Sequence, residues 1–212
     1  MSGALSHIRV LDLTRVLAGP WAAQVLADLG AEVIKIERPG SGDDTRAWGP
    51  PFLKDAEGRD TSEAAYYLTA NRNKQSVTVD FTQPEGQRLV RELAAQCDVV
   101  LENFKVGGLA AYGLDYDSLK AINPRLIYCS ISGFGSGEGR DLPGYDLLVQ
   151  AMGGLMSITG EADQPPVRVG VSLVDMGTGM WAVIGLLAAL LLRLSDPVEK
   201  NRELALHILW QL

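Results

Sequence analysis

Two short apolar runs, Ile8–Leu13 (IRVLDL) and Glu32–Glu37 (EVIKIE), frame a segment that stops at Gly30. Runs of this length, rich in Val, Ile and Leu, read as strands buried in a sheet. Pro20–Leu29 between them reads as a helix, with proline at its start and glycine just past its end. Strand, helix and strand in that order make a βαβ unit, whose two strands lie parallel and whose crossover is right-handed. This opening leaves few architectures, because a parallel sheet needs helices on both of its faces.

The rest of the chain repeats the alternation. Ser76–Phe81, Asp98–Leu101 and Arg125–Ile131 read as further strands, and Pro84–Ala95 as a helix with proline in its first turn. Val106–Tyr112 and Tyr116–Ile122 read as short helical pieces, and Tyr145–Met156 and Met176–Leu194 as longer helices. Arg38–Ser62 is a long polar stretch rich in Gly, Pro and Asp, read as a loop that is either functional or disordered, and Gly133–Gly139 is a flexible one. The expected fold class is α/β: a Rossmann-like, mostly parallel sheet flanked by helices, with residues 1–194 as one domain and 195–212 as a divergent tail. Ligands of such sheets bind outside the carboxyl ends of the strands, so the loops after Leu13, Glu37, Phe81, Leu101 and Ile131 are where a site is sought.

Composition removes several functions. A net charge of −7 argues against general nucleic-acid binding, which needs a basic face to displace phosphate counterions. Two cysteines, Cys97 and Cys129, make neither a disulfide framework nor a metal set, and both sit in apolar runs as small buried hydrophobes. No basic stretch precedes an apolar one at the start, so the expected location is the cytoplasm. Met180–Leu192 is unbroken but too short to cross about 30 Å of hydrocarbon at about 1.5 Å per residue, so a buried core helix and no membrane span is expected. Glu37 ends the second strand, where a ribose-binding acid would stand. However, the first turn, Thr14–Pro20, has no GxGxxG, which argues against a dinucleotide cofactor.

The segment RVLDLTRVLAGPWAAQVLADLGAEVIKIERPGSGDDTRAWGPPF resembles the opening of the family III CoA-transferases. The likeness runs on through NRNKQSVTVDF, CDVVLENFKVGGLAAYGLDY, INPRLIYCSISGFG, GYDLLVQAMGGLMSITG and VSLVDMGTGM, covering about Ile8 to Arg193. It implies transfer of coenzyme A between an acyl-CoA and a carboxylic acid, with CoA as substrate and no prosthetic group or metal. It also implies an interlocked homodimer for full-length members, and whether a chain of this length forms one stays open.

Within that likeness Asp175, in LVDMGTGM, takes the place of the aspartate that attacks the acyl thioester. The residues alone allow two roles. Asp175 precedes an apolar helix with Gly177 and Gly179 in its first turn, which suits either a helix cap or an anion held ionised by free amides. Under the second role it would remain ionised at neutral pH, as a carboxylate nucleophile must. The resemblance puts Tyr145 and Asp146 close to that nucleophile. It puts Val16, Leu17 and Arg38 near CoA, Val79, Asp80, Phe81 and Thr82 near its adenine, and Asn103 and Phe104 along the pantetheine channel. Arg72 and Lys74 are further candidates for phosphate charge. The family's racemase branch uses a histidine where Tyr145 stands, and the only histidines here are His7 and His207 at the two ends. A tyrosine with an ordinary pKa of about 10 is a poor base at neutral pH, so transferase is the expected branch.

Three departures qualify this. Ala111 stands where relatives often carry Arg or Lys. Nothing here matches the family's second, smaller domain or its glycine-rich closing loop. The ending, SDPVEKNRELALHILWQL, departs from the expected continuation, as a chain truncated after the nucleophile helix would. In that tail Leu204, Ile208 and Leu212 recur at helical spacing, so a short amphipathic helix folding back over Met176–Leu194 is one expectation. A CoA-binding but catalytically silent chain is the alternative to an active transferase.

Overall fold

The computed structural model describes residues 3–195 and 205–209. Strands β1 (Arg9–Asp12), β2 (Glu32–Glu37), β5 (Lys74–Thr78), β6 (Val99–Glu102), β7 (Ile127–Ser132) and β8 (Ala205–Leu209) form one sheet in the order β5-β2-β1-β6-β7-β8. Every pairing in it is parallel. The order winds outward from β1 on one side and from β6 on the other, which is the doubly wound arrangement of the Rossmann type. The chain reverses direction of winding between β1 and β6, so a crevice opens at their carboxyl ends.

Successive strand residues enter opposite cores, as a period of two requires. Val10, Val33, Val99 and Ile127 face helices α1 (Ala18–Asp28) and α6 (Leu173–Ser195). Leu11, Ile34, Val100 and Tyr128 face the side covered by α3 (Pro84–Ala94) and α4 (Tyr116–Ile122). Cys97 and Cys129 are buried in these cores and free.

The polar stretch read as one loop contains structure. A 3-10 turn at Asp44–Ala47 is followed by a hairpin of β3 (Phe52–Lys54) and β4 (Asp60–Ala64) and by helix α2 (Ala65–Asn71). Arg46 anchors it: its guanidinium donates to Glu37 at 2.7 and 2.8 Å and to Glu63 at 2.6 Å. Tyr67 and Ser76 donate to the same Glu37 carboxylate at 2.9 and 2.6 Å. Burial pushes that carboxyl up, but these hydrogen bonds, Arg46 first, hold it down at about 2. Glu37 is therefore a structural anchor, fully occupied by its own chain.

Helix α6 starts at Leu173, earlier than the sequence suggests, and is not the wholly buried helix expected. Ala182, Leu186 and Ala189 pack into the core, yet Trp181, Ile184 and Leu191 on the other side are 62%, 53% and 65% exposed. Leu173–Leu194 is long and apolar enough to cross a membrane, as the core helix of a soluble protein can also be. Within the tail, Ala205–Leu209 is strand β8 and not helix, because the free edge of β7 offers a ladder of backbone partners, Tyr128 to Ser132. The remainder of the expected tail helix lies outside the described residues.

Candidate active site

The turn after β1 is built on buried charge. The Lys35 ammonium, 1% exposed, meets Asp43 at 2.9 Å and donates to the Thr14 carbonyl at 2.8 Å. Lys74, 2% exposed, meets Asp12 at 2.9 Å and donates to the Pro20 carbonyl at 2.8 Å. Buried ions hold only when paired and hydrogen-bonded, and these four carry the chain between Thr14 and Pro20 on fixed supports. Burial pulls the Lys74 ammonium down to about 8, against the pull of Asp12. Val16 has φ 72°, a strained state for a β-branched residue. Asn103 from the loop after β6 clamps the neighbouring peptide: it accepts from the Arg15 N–H at 2.9 Å and donates to the Arg15 carbonyl at 2.7 Å.

Beside this turn lies a cleft of about 520 Å³ at the β1–β6 crevice. Its walls are the loops after β1 (Arg15–Ala18), β6 (Asn103–Val106) and β7 (Ile131–Gly135), the segment Arg140–Asp146, and Val174, Asp175 and Thr178 of α6. Helix α5 (Asp146–Met152) starts at this wall.

Asp175 is the third residue of α6, and the capping role falls to another carboxylate. Asp146 Oδ1 accepts from the Val174 N–H at 2.8 Å and the Asp175 N–H at 3.2 Å. Its Oδ2 accepts from Gln150 Nε2 at 2.5 Å, and the buried Gln150 accepts in turn from the Val169 N–H at 2.9 Å. One turn further along α6, Gly179 lets α1 approach, since a Cβ there would sit 2.8 Å from the Ala18 carbonyl oxygen. The charge state of Asp175 differs from the expectation. Burial first, and the Asp146 charge second, push its carboxyl up to about 7. With the capping amides already taken by Asp146, Asp175 gains a like charge where an N-terminal dipole was anticipated. It is divided between acid and carboxylate near neutrality.

Of the residues named from sequence, the cleft gathers Val16, Leu17, Asn103, Phe104, Tyr145, Asp146 and Asp175. Tyr145 stands at the rim, 70% exposed. Phe81 touches the cleft wall from behind, edge-to-face with Phe104 at 5.7 Å between centroids. Val79 is buried in the core under α3. Thr82 is exposed and donates its N–H and hydroxyl to the exposed Asp80 at 3.0 and 2.6 Å. Arg38 is exposed just after β2 and does not line the cleft. Lys74 is occupied by Asp12, and Arg72 pairs with Asp28 through both oxygens, so neither points charge into the cleft.

Five residues escaped the sequence reading. Arg15, Lys105 and Arg140 line the cleft and give it cations. Tyr66 of α2 lies beside Asp175: burial, then the Asp175 charge, raise its hydroxyl above the ordinary value, and it reaches Ser172. Trp48 stacks edge-on against Tyr66 at 5.5 Å. Arg15 carried a signal, being in the turn after the first strand, whereas Tyr66 is brought in by a hairpin the sequence did not reveal. Among the described residues no group of three or more His, Cys, Asp or Glu is arranged to hold a metal.

Residues 5–197 match CoA-transferase family III. The chain is 55% identical over 203 residues to the succinate–glutarate CoA-transferase of Agrobacterium fabrum, covering 95% of this chain and 50% of that protein. It is 50% identical over 188 residues to the succinyl-CoA:glutarate CoA-transferase of Homo sapiens, covering 88% and 41%. A CAIB/BAIF family protein from Brucella suis has the same fold, with a TM-score of 0.89 at 50% identity over 98% of this chain and 53% of that one. The chain thus spans about half the length of the curated relatives it matches. A doubly wound sheet with an aspartate-bearing cleft at its switch point and a match along nearly its whole length place this chain in CoA-transferase family III.

Proposed function

We propose that the chain carries the CoA-binding, acyl-accepting part of a transferase that moves coenzyme A between an acyl-CoA thioester and a carboxylic acid. Asp175 is the nucleophile in this reading. The observation that carries it is a half-buried carboxyl, open to a cleft at the switch point and raised to about 7 by burial and Asp146. A carboxylate whose charge is poorly solvated is a stronger nucleophile, and near neutrality about half of it is still ionised.

The steps balance without any further reagent. The Asp175 carboxylate attacks the thioester carbonyl, the C–S bond breaks, and CoA leaves as thiolate from a mixed anhydride. The thiolate then attacks the aspartyl carbonyl, giving an enzyme–CoA thioester and releasing the donor acid. The acceptor carboxylate attacks that thioester and the same steps run in reverse. Splitting one exchange into several is what a covalent nucleophile contributes. Asp146 holds the first turn of α6 in place through both steps, and Val16, Leu17, Asn103 and Phe104 line the path of the pantetheine arm. Arg38, Val79, Phe81 and Thr82 belong to the nucleotide end in this reading.

The substrates we propose are dicarboxylates, with succinyl-CoA as donor. Support comes from relatives named as succinate–glutarate, succinyl-CoA:glutarate and succinyl-CoA–D-citramalate transferases at 45–55% identity. A second reading, CoA binding without turnover, is favoured by the uncovered outer face of α6, where Trp181 is 62% exposed. One experiment separates the two. Succinyl-CoA followed by hydroxylamine should convert Asp175 to a hydroxamate detectable by peptide mass spectrometry. CoA binding with no adduct at Asp175 leaves the silent reading standing, and turnover with an adduct elsewhere removes Asp175 as nucleophile.

A further inference from the structure

Arg15 has a backbone clamped by the fold and a guanidinium whose buried Nε has no partner. Its peptide is clamped on both sides by Asn103, at 2.9 and 2.7 Å, and its guanidinium carbon stands 4.6 Å from the centre of the Phe104 ring. An arginine has five N–H donors, yet none of them makes a hydrogen bond to a described residue. Nε is fully buried without a partner. The nearest acid, Asp44, is 3.9 Å from Nη1, too long for a hydrogen bond, and both side chains are partly exposed, at 37% and 44%. A positioned, stacked, unsatisfied cation in a cleft wall calls for an oxyanion from outside the chain.

The cleft also holds the cations Lys105 and Arg140 and the acids Asp44, Asp141, Asp146 and Asp175. Asp141 is engaged by Lys105 at 3.0 Å, and Asp146 by Gln150 and the Val174 N–H. The position of Arg15 selects which part of a ligand brings the anion. Phe104 is edge-to-face with Phe81 at 5.7 Å, and Phe81 with Tyr112 at 5.6 Å, all packed against the core under α3 and α4. Asp175 sits on α6, over the opposite face of the sheet. A ligand that reacts at Asp175 and reaches Arg15 must cross the carboxyl edge of the sheet. That suits a long thioester with a nucleotide at its far end better than a short dicarboxylate confined to the α6 side.

We propose that Arg15 is a phosphate anchor of the cleft, its open N–H groups taking a phosphate of the nucleotide end of CoA. This rests on the CoA-transferase reading above, and it adds a contact that the motif residues do not supply. Calorimetric titration of the chain tests it without requiring turnover. Wild type, Arg15→Ala and Arg15→Lys are each titrated with CoA, dephospho-CoA, pantetheine and glutarate, after thermal melts show that the variants fold.

Arg15→Ala should bind CoA roughly 10- to 100-fold more weakly, the scale of charge-assisted hydrogen bonds, with pantetheine unaffected. Arg15→Lys should fall between, because an ammonium restores charge but not the planar fork. A loss that persists with dephospho-CoA assigns the pyrophosphate, and one that vanishes assigns the 3′-phosphate. Either result supports the anchor. Unchanged CoA affinity, equal losses for CoA and pantetheine, or a loss confined to glutarate overturns it. Failure of the wild type to bind CoA instead overturns the CoA-transferase reading on which it rests.

Discussion

Replacing Asp175 by asparagine should stabilise the fold, and more so as the pH rises. Burial and the Asp146 charge move the Asp175 carboxyl from 3.8 to about 7. At about 1.4 kcal/mol for each pKa unit, ionising it costs the folded chain roughly 4 kcal/mol relative to the unfolded one. The group opens on a cleft, so screening reduces this, and roughly 2–4 kcal/mol is the expectation. The sign follows from proton counting. Well below about pH 4 the carboxyl is protonated in both states and costs nothing. Between about pH 4 and 7 the unfolded chain has lost its proton while the fold keeps it, so stability falls as the pH rises. Above pH 7 the cost is complete. Asparagine, neutral throughout and nearly the same size, escapes it. Urea unfolding of both proteins should show a gap in midpoint of about 1 M at pH 8, taking m near 2–3 kcal/mol per molar, and under half that at pH 5. An offset that is the same at both pH values would mean that Asp175 is not held against ionisation, and the nucleophile argument would lose its physical basis.

Two further changes probe the same helix end. Asp146→Asn keeps an oxygen for the Val174 and Asp175 amides but removes the charge, so the pH at which Asp175 ionises, read from its carboxyl NMR resonance, should fall. An unmoved midpoint would leave burial as the whole cause. Asp146→Ala removes the cap as well, and should cost about 0.5–2 kcal/mol more than the asparagine variant in chemical unfolding. Gly179→Ala would put a methyl 2.8 Å from the Ala18 carbonyl oxygen and 2.9 Å from the Trp21 ring. It should destabilise by about 1–3 kcal/mol in thermal unfolding, and a neutral result would show that α1 and α6 give way easily.

The frame of this fold was legible where a segment carries its own signal. Glu32–Glu37 and Tyr116–Ile122 fall where periodicity and flanking residues put them, because apolar runs and caps act within a few residues. The hairpin Phe52–Ala64 was hidden, since its strands are three and five residues long and largely polar, and Arg46 holds it from outside. Lys74 was a candidate for phosphate charge; its burial depends on Asp12, far away in sequence. The same holds at the site. Asp175 was picked out as a candidate nucleophile by the family resemblance, but its charge state depends on burial and then on Asp146, which stands 29 residues earlier and reaches it only through tertiary packing. Local composition reveals which residues carry chemistry, and long-range contacts decide the condition in which they carry it.

The cleft lies across the edge of a sheet whose two faces have separate cores, and this divides the effects of core mutations. Asp175 is seated on α6 over the core of Val10, Val99 and Leu186, while Phe104 leans on the core of Leu11, Val90 and Tyr128. Loosening the first layer shifts the Asp175 carboxyl and leaves the far end of the cleft in register. Loosening the second shifts the platform beneath Arg15 and leaves the carboxyl where it was. Conservative truncations in one layer should therefore slow acyl capture at unchanged ligand affinity, and those in the other should weaken affinity at unchanged capture rate. Under the proposed function, the central sheet is a partition between reactivity and recognition, and sequence drift in one layer preserves the other.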